Sequence, residues 1–137
     1  MLIIVSDEIK GQVFIGHEYT KAARDDLRDA LKKALKGSGL EPLYADDELW
    51  NGQIFVDKII RQIDDSMFGI YDISNPGVHN VFLELGAAIA RRKAYVIICK
   101  LGTKIPTNLD GLDRIEYESY KQLGIELRKK TKRLWPE

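Results

Sequence analysis

The sequence predicts an α/β protein, a three-layer αβα domain around a five-stranded, mainly parallel sheet. Three observations lead there. Short β-rich runs alternate with longer stretches of helical period, the pattern of a parallel sheet covered by helices on both faces. Two of the runs, 67–73 and 94–99, are apolar almost throughout, as strands buried on both faces are. The 137 residues, 45% hydrophobic and 31% charged, suffice for one core that buries about two thirds of the unfolded surface, and exclude two independent catalytic domains. The whole chain, 1–137, is therefore read as a single domain.

The first clear strand is Val13 to Gly16, and Leu2 to Val5 is either an added edge strand or a lead-in. Ala23, Leu27, Ala30, Leu31, Ala34 and Leu35 then form an apolar stripe on a polar helix, which Lys36-Gly37-Ser38-Gly39 ends. Leu40 to Tyr44 reads as the second strand. The acidic segment Asp46 to Gly52 leads into a second helix with Val56, Ile59, Ile60 and Ile63 on its inner face. Met67 to Ile73 is the central strand, closed by the loop signal Ser74-Asn75-Pro76-Gly77. A third helix from about Asn80 to Arg91 aligns Val81, Leu85, Ala88 and Ile89, and Ala94 to Cys99 is a buried strand. Lys100 to Leu112 has room only for a vestigial helix before a short strand at Arg114 to Tyr117. Ser119 with Gln122 forms a capping box for the last helix. That helix ends in the basic run 128–133, read as a solvated helix end or as a contact for an anion or a partner.

Composition narrows function by exclusion. Lys plus Arg and Asp plus Glu each number 21, so no net field draws the chain to nucleic acid or to an acidic membrane surface. No apolar run approaches a membrane span, and Met1 to Val5 is too short for a signal-peptide core, so a cytoplasmic location is expected. The single cysteine, Cys99, reads as a buried thiol. His17 and His79 alone do not make a zinc site, so neither a metal nor a cofactor is assigned. Neither glycine-rich phosphate motif is present.

In an open parallel sheet, ligands bind beyond the carboxyl ends of the strands, where the strand order reverses. The segments that meet there are Gly16-His17-Glu18, Asp46 to Gly52 with Trp50, and Asp72 to Asn80 with Ser74. Glu84, the one acid of the third helix, stands among Phe82, Leu83, Leu85, Gly86, Ala87 and Ala88. A carboxylate there is costly to desolvate without a partner or an opening onto a cleft. Either it pairs with Arg91 or Arg92, or it faces the cleft while the small residues admit close approach. Trp50 is a stacking or interface residue, or a half-buried core aromatic. Asp72 holds a ligand hydroxyl or caps the turn through Ser74 and Asn75.

The run Asp65 to Ser74, followed by Asn80-Val81-Phe82-Leu83-Glu84-Leu85-Gly86, resembles the TIR-like nucleotide-binding proteins of prokaryotes and their relatives, the nucleoside 2-deoxyribosyltransferases. The resemblance runs from about Val13 to Tyr117 and includes Val13 to Gly16 and Trp50-Asn51-Gly52. It implies a flavodoxin-like sheet and cleavage of an N-glycosidic bond in NAD or a nucleoside, with Glu84 as the catalytic carboxylate. Such a carboxylate suits an oxocarbenium-like transition state, as nucleophile or as electrostatic stabiliser. Gly16, His17, Trp50, Asp72, Ser74 and Asn80 become candidate substrate-binding residues, His17 toward a phosphate or the nicotinamide amide unless it is a surface histidine.

Two departures from the family pattern bear on this reading: the first favours a nucleotide-binding module without turnover, the second an NAD hydrolase over a transferase. Asn80 stands four residues before Glu84, where catalytic bacterial TIR domains often have Trp. Val78, His79 and Asn80 occupy the stretch where the transferases carry an aspartate. The resemblance further implies a homo-oligomer with activity rising faster than linearly with concentration, and fusion to a sensor domain or service in a prokaryotic antiviral defence system. A nucleotide-sensing module without turnover and a self-associating module that docks a partner remain the alternatives.

Overall fold

The computed structural model describes residues 11–18, 21–44, 52–75 and 79–135. Five strands and four helices alternate: β1 Gly11–Gly16, α1 Lys21–Leu35, β2 Leu40–Tyr44, α2 Gly52–Asp65, β3 Phe68–Asp72, α3 His79–Ala90, β4 Tyr95–Lys100, β5 Arg114–Tyr117 and α4 Tyr120–Leu134. All strand pairs are parallel and the order is β2-β1-β3-β4-β5. β1 therefore has β2 on one side and β3 on the other. The chain winds outward in both directions from that pair, which makes the carboxyl ends of β1 and β3 the switch point.

Side chains alternate across the sheet and supply two cores. Val13, Ile15, Phe68, Ile70, Val96 and Ile98 pack under α1 and α4 with Leu27, Leu31, Leu123 and Leu127. Phe14, Tyr71, Ile97 and Cys99 face α2 and α3 and meet Ile59, Ile63, Val81, Leu85 and Ala88. The buried thiol of Cys99 thus belongs to a packed core. β2 is an edge strand, which is why Pro42 is tolerated opposite Val13 with no ladder donor of its own.

The expected elements are all present, and the vestigial helix is a single 3-10 turn, Thr107–Leu109. The Ser119 hydroxyl accepts from the Gln122 N–H at 3.1 Å, and the Gln122 side chain returns to the Glu118 N–H at 2.7 Å, one residue earlier than in the usual box. Three apolar positions expected inside are exposed: Val56, Met67 and Ile89. α2 rests on the sheet through Ile59 and Ile63, so its stripe is longer than its contact. β3 pairing starts at Phe68, which leaves Met67 outside the sheet. Ile89 lies beyond the edge of the buried stripe of α3, whereas Glu84, on the other side of that stripe, is buried with Val81, Leu85 and Ala88. Leu2 to Val5, Asp46, Asp47 and Trp50 fall outside the described residues.

Candidate active site at the switch point

β1 ends in Gly16, which pairs in register with Tyr71 of β3. A Cβ at Gly16 would stand 2.7 Å from Tyr71 Cδ1 and 3.2 Å from Glu84 Oε2. The glycine backbone is what lets a ring and a carboxylate close on the same point from two other elements. Gly69 serves the same ring from below, since a Cβ there would lie 2.5 Å from the Tyr71 hydroxyl. Tyr71 is wholly buried and its hydroxyl has no hydrogen-bond partner among the described residues. Burial, and after it the charge of Glu84, push its phenol above the ordinary range.

Glu84 is 1% exposed. Asn80, one turn earlier on α3, donates from Nδ2 to Glu84 Oε1 at 3.2 Å and to the His17 carbonyl at 3.3 Å. One amide thus joins the end of β1 to the buried carboxylate. Arg91, a candidate partner for Glu84, is engaged elsewhere: its Nε donates to Asp64 Oδ1 at 2.9 Å and its Nη2 closes a second bond to the same carboxylate. That pair holds Asp64 below the usual carboxylate range.

His17 is a buried residue, 2% exposed, and not a surface one. Arg28 Nε donates to its Nε2 at 3.1 Å, so Nδ1 carries the proton and donates to the Glu18 carbonyl at 2.5 Å. Its ring lies 5.6 Å from that of Tyr44, over which the Arg28 guanidinium stacks at 3.7 Å. The side chain is thus held by α1 and β2, while its carbonyl serves Asn80. Asn75 Nδ2 donates to Glu18 Oε2 at 3.0 Å, tying the loops after β3 and β1 together.

Asp72 and Ser74 form a separate cluster on the α1 and α4 side. Asp72 Oδ1 accepts from Ser74 N at 3.0 Å and Ser74 Oγ at 2.5 Å, and Oδ2 accepts from the Tyr117 hydroxyl at 3.1 Å. Ser74 Oγ accepts in turn from the Lys100 N–H at 2.9 Å. Burial raises the Asp72 carboxyl above its ordinary value, and the bonds from Ser74 and Tyr117 oppose that rise. The arrangement caps β3 and fastens it to β4 and β5.

Gly16, Asn80 and Glu84 therefore come together, with Tyr71 as a neighbour that sequence reading missed. Its signal was a tyrosine in the central strand opposite a strand-ending glycine. Arg28, Tyr44 and Tyr117 were also missed. Trp50 lies outside the described residues. Two open grooves of about 470 Å³ each run along α1 and α4, one past Lys36 and Trp135 and the other past Asp29 and Ile125, in the layer opposite Glu84. The chemistry-bearing residues are not in them. Among the described residues no helix is long and apolar enough to cross a membrane.

Comparison with known proteins bears on the fold and the family. The fold is shared with the CMP N-glycosidase BcmB of Clostridium botulinum, at a TM-score of 0.69 and 17% identity over 85% of this chain and 97% of that one. No curated protein matches the sequence. The model of the TIR domain of CAP12/Pycsar effector proteins matches residues 12–119, which takes in all five strands except Gly11 at the start of β1, and the chain belongs to that family.

Proposed function

We propose that the chain is a nucleotide N-glycosidase that hydrolyses the bond between base and ribose, with Glu84 as the catalytic carboxylate and NAD or a nucleoside monophosphate as substrate. The observation that carries the reading is one buried carboxylate, on the third helix, set against the glycine that ends β1 at the switch point. Likeness of fold to a CMP N-glycosidase supports it.

In the reaction the C1′–N bond breaks with its electron pair leaving on the base, and positive charge develops across C1′ and the ring oxygen. Glu84 stabilises that charge from a desolvated position, where a fixed negative oxygen acts far more strongly than in water. Water then bonds to C1′ and releases a proton to solvent, or to the base where the departing base is an anion. Nicotinamide leaves NAD neutral and needs no acid.

A homo-oligomer in the cytoplasm, serving as an effector in antiviral defence, belongs to the same reading. Support for self-association comes from α3, whose exposed positions His79, Leu83, Gly86, Ile89 and Ala90 carry no acidic or basic residue other than a histidine. α1 exposes Asp25, Asp26, Asp29, Lys32 and Lys33 instead.

The test is release of nicotinamide from NAD and of cytosine from CMP, followed across a wide range of protein concentration. Release that rises faster than linearly supports a glycosidase assembled from several copies. A linear dependence removes the oligomeric part, and no release from any nucleotide, with thermal stabilisation by one, leaves a sensor of the same fold.

A further inference from the structure

We infer that Asn80 sets the sugar specificity of this site: its amide nitrogen positions Glu84, and its amide oxygen receives the 2′-hydroxyl of a ribonucleotide. The inference rests on the glycosidase reading and adds the sugar that the site accepts.

A primary amide has two N–H donors and one acceptor oxygen. Both donors of Asn80 are directed at acceptors, Glu84 Oε1 at 3.2 Å and the His17 carbonyl at 3.3 Å. The opposite amide orientation would set Oδ1 against a carboxylate oxygen and a carbonyl oxygen, so the hydrogen-bond pattern fixes which way the group points. Its oxygen accepts from none of the described residues, and Asn80 is only partly buried, unlike Glu84. An oriented acceptor therefore stands one amide's width from the carboxylate assigned to the anomeric carbon. The sugar carbon bonded to the anomeric one bears the 2′-hydroxyl, a donor. A 2′-deoxy sugar would leave the Asn80 oxygen desolvated and unmatched, which is how a polar site rejects an analogue that lacks one hydroxyl.

The arrangement also accounts for a small polar residue one turn before the glutamate. The amide links β1 to the carboxylate, and no aromatic ring has the donors to do so.

The experiment measures binding by calorimetry of CMP, AMP and their 2′-deoxy counterparts to the Glu84→Gln protein, which keeps an acceptor for Asn80, with and without Asn80→Leu. It is paired with hydrolysis rates of the same nucleotides by the parent chain. The expected result is about tenfold tighter binding of each ribonucleotide than of its deoxy form, falling to within about twofold when Asn80 is replaced by Leu. Asn80→Asp keeps an acceptor but loses both donors that orient it, so the preference should weaken. Because it sets a second carboxylate beside Glu84, it should also move the acid limb of the pH–rate profile upward. A purely structural role would lower stability and leave the ribose-to-deoxyribose ratio untouched. Equal handling of the two sugars with base release intact overturns this inference and leaves the glycosidase standing. Failure of all four nucleotides to bind or react overturns this inference, and failure of NAD to release nicotinamide beside them overturns the glycosidase reading as well.

Discussion

Two carboxylates, the buried Glu84 and the partly buried Asp72, stand near the carboxyl edge of the same sheet, and the way each is held differs. Asp72 takes three hydrogen bonds from its own turn and from β5, and their joint effect is to fasten three strands together. Glu84 comes from a helix, is steadied by an amide of that helix, and lies against bare backbone of β1 where a side chain would not fit. Burial alone does not separate a structural acid from a chemical one. What separates them is whether the surroundings are built to join elements or to bring the carboxylate up to an open backbone at the switch point.

The largest effect on this contrast is expected from Gly16→Val. The added side chain meets the Tyr71 ring and Glu84 Oε2 at once, and overpacking of this kind costs about 1–3 kcal/mol. Denaturant unfolding should show that loss, and base release should fall further than stability explains. Undiminished release from a folded variant would mean that the approach of Glu84 to β1 is incidental.

Asp72 should answer in stability alone. Tyr117→Phe removes one donor from a partly buried carboxyl and is expected to cost about 1 kcal/mol with base release retained. The pH dependence has a definite sign. The folded value of Asp72 is raised, so its contribution is fully present below the unfolded value of 3.8 and is lost as pH rises through the folded one. Asp72→Asn lacks that loss, so its melting temperature relative to the parent should improve from pH 4 toward neutrality. A gap that widens in the other direction would show that the hydrogen bonds outweigh burial at this carboxyl.

The fold was legible because each strand is a short apolar run and each helix has an apolar stripe, and these patterns do not depend on distant partners. The candidate site was legible in part. On a helical wheel Glu84 and Ile89 flank the stripe of Val81, Leu85 and Ala88 at similar angles, about 65–75°, on opposite sides. Spacing gives them equal standing, and only the position of β1 decides that Glu84 is buried and Ile89 exposed. His17 shows the same limit, because its carbonyl and its ring serve different neighbours, Asn80 on one side and Arg28 with Tyr44 on the other.

The end of α3 was also invisible in the sequence. Lys93 N–H bonds to the Ala88 carbonyl at 3.0 Å and Arg92 N–H to the Ile89 carbonyl at 3.1 Å, a cap that puts Arg92 in the left-handed region at φ 57°. Glycine normally fills this position, and Lys36-Gly37 at the end of α1 had announced its cap by that residue. Arg92→Gly is therefore expected to stabilise the protein by up to about 1 kcal/mol, the smallest of these effects. Base release should not change, since the substitution relieves the helix without touching its Glu84 turn. A drop in release would tie the site to the far end of the helix.

Glu84 is proposed to do chemistry while Asp72 holds strands. That proposal is tested most directly by base release from NAD and CMP with the parent protein and Glu84→Gln at equal high concentration, their melting curves recorded side by side. The expected result is a loss of at least about a hundredfold in release with melting temperatures that nearly coincide. Release that survives the substitution in a folded protein would contradict it and move the search for the catalytic group away from α3.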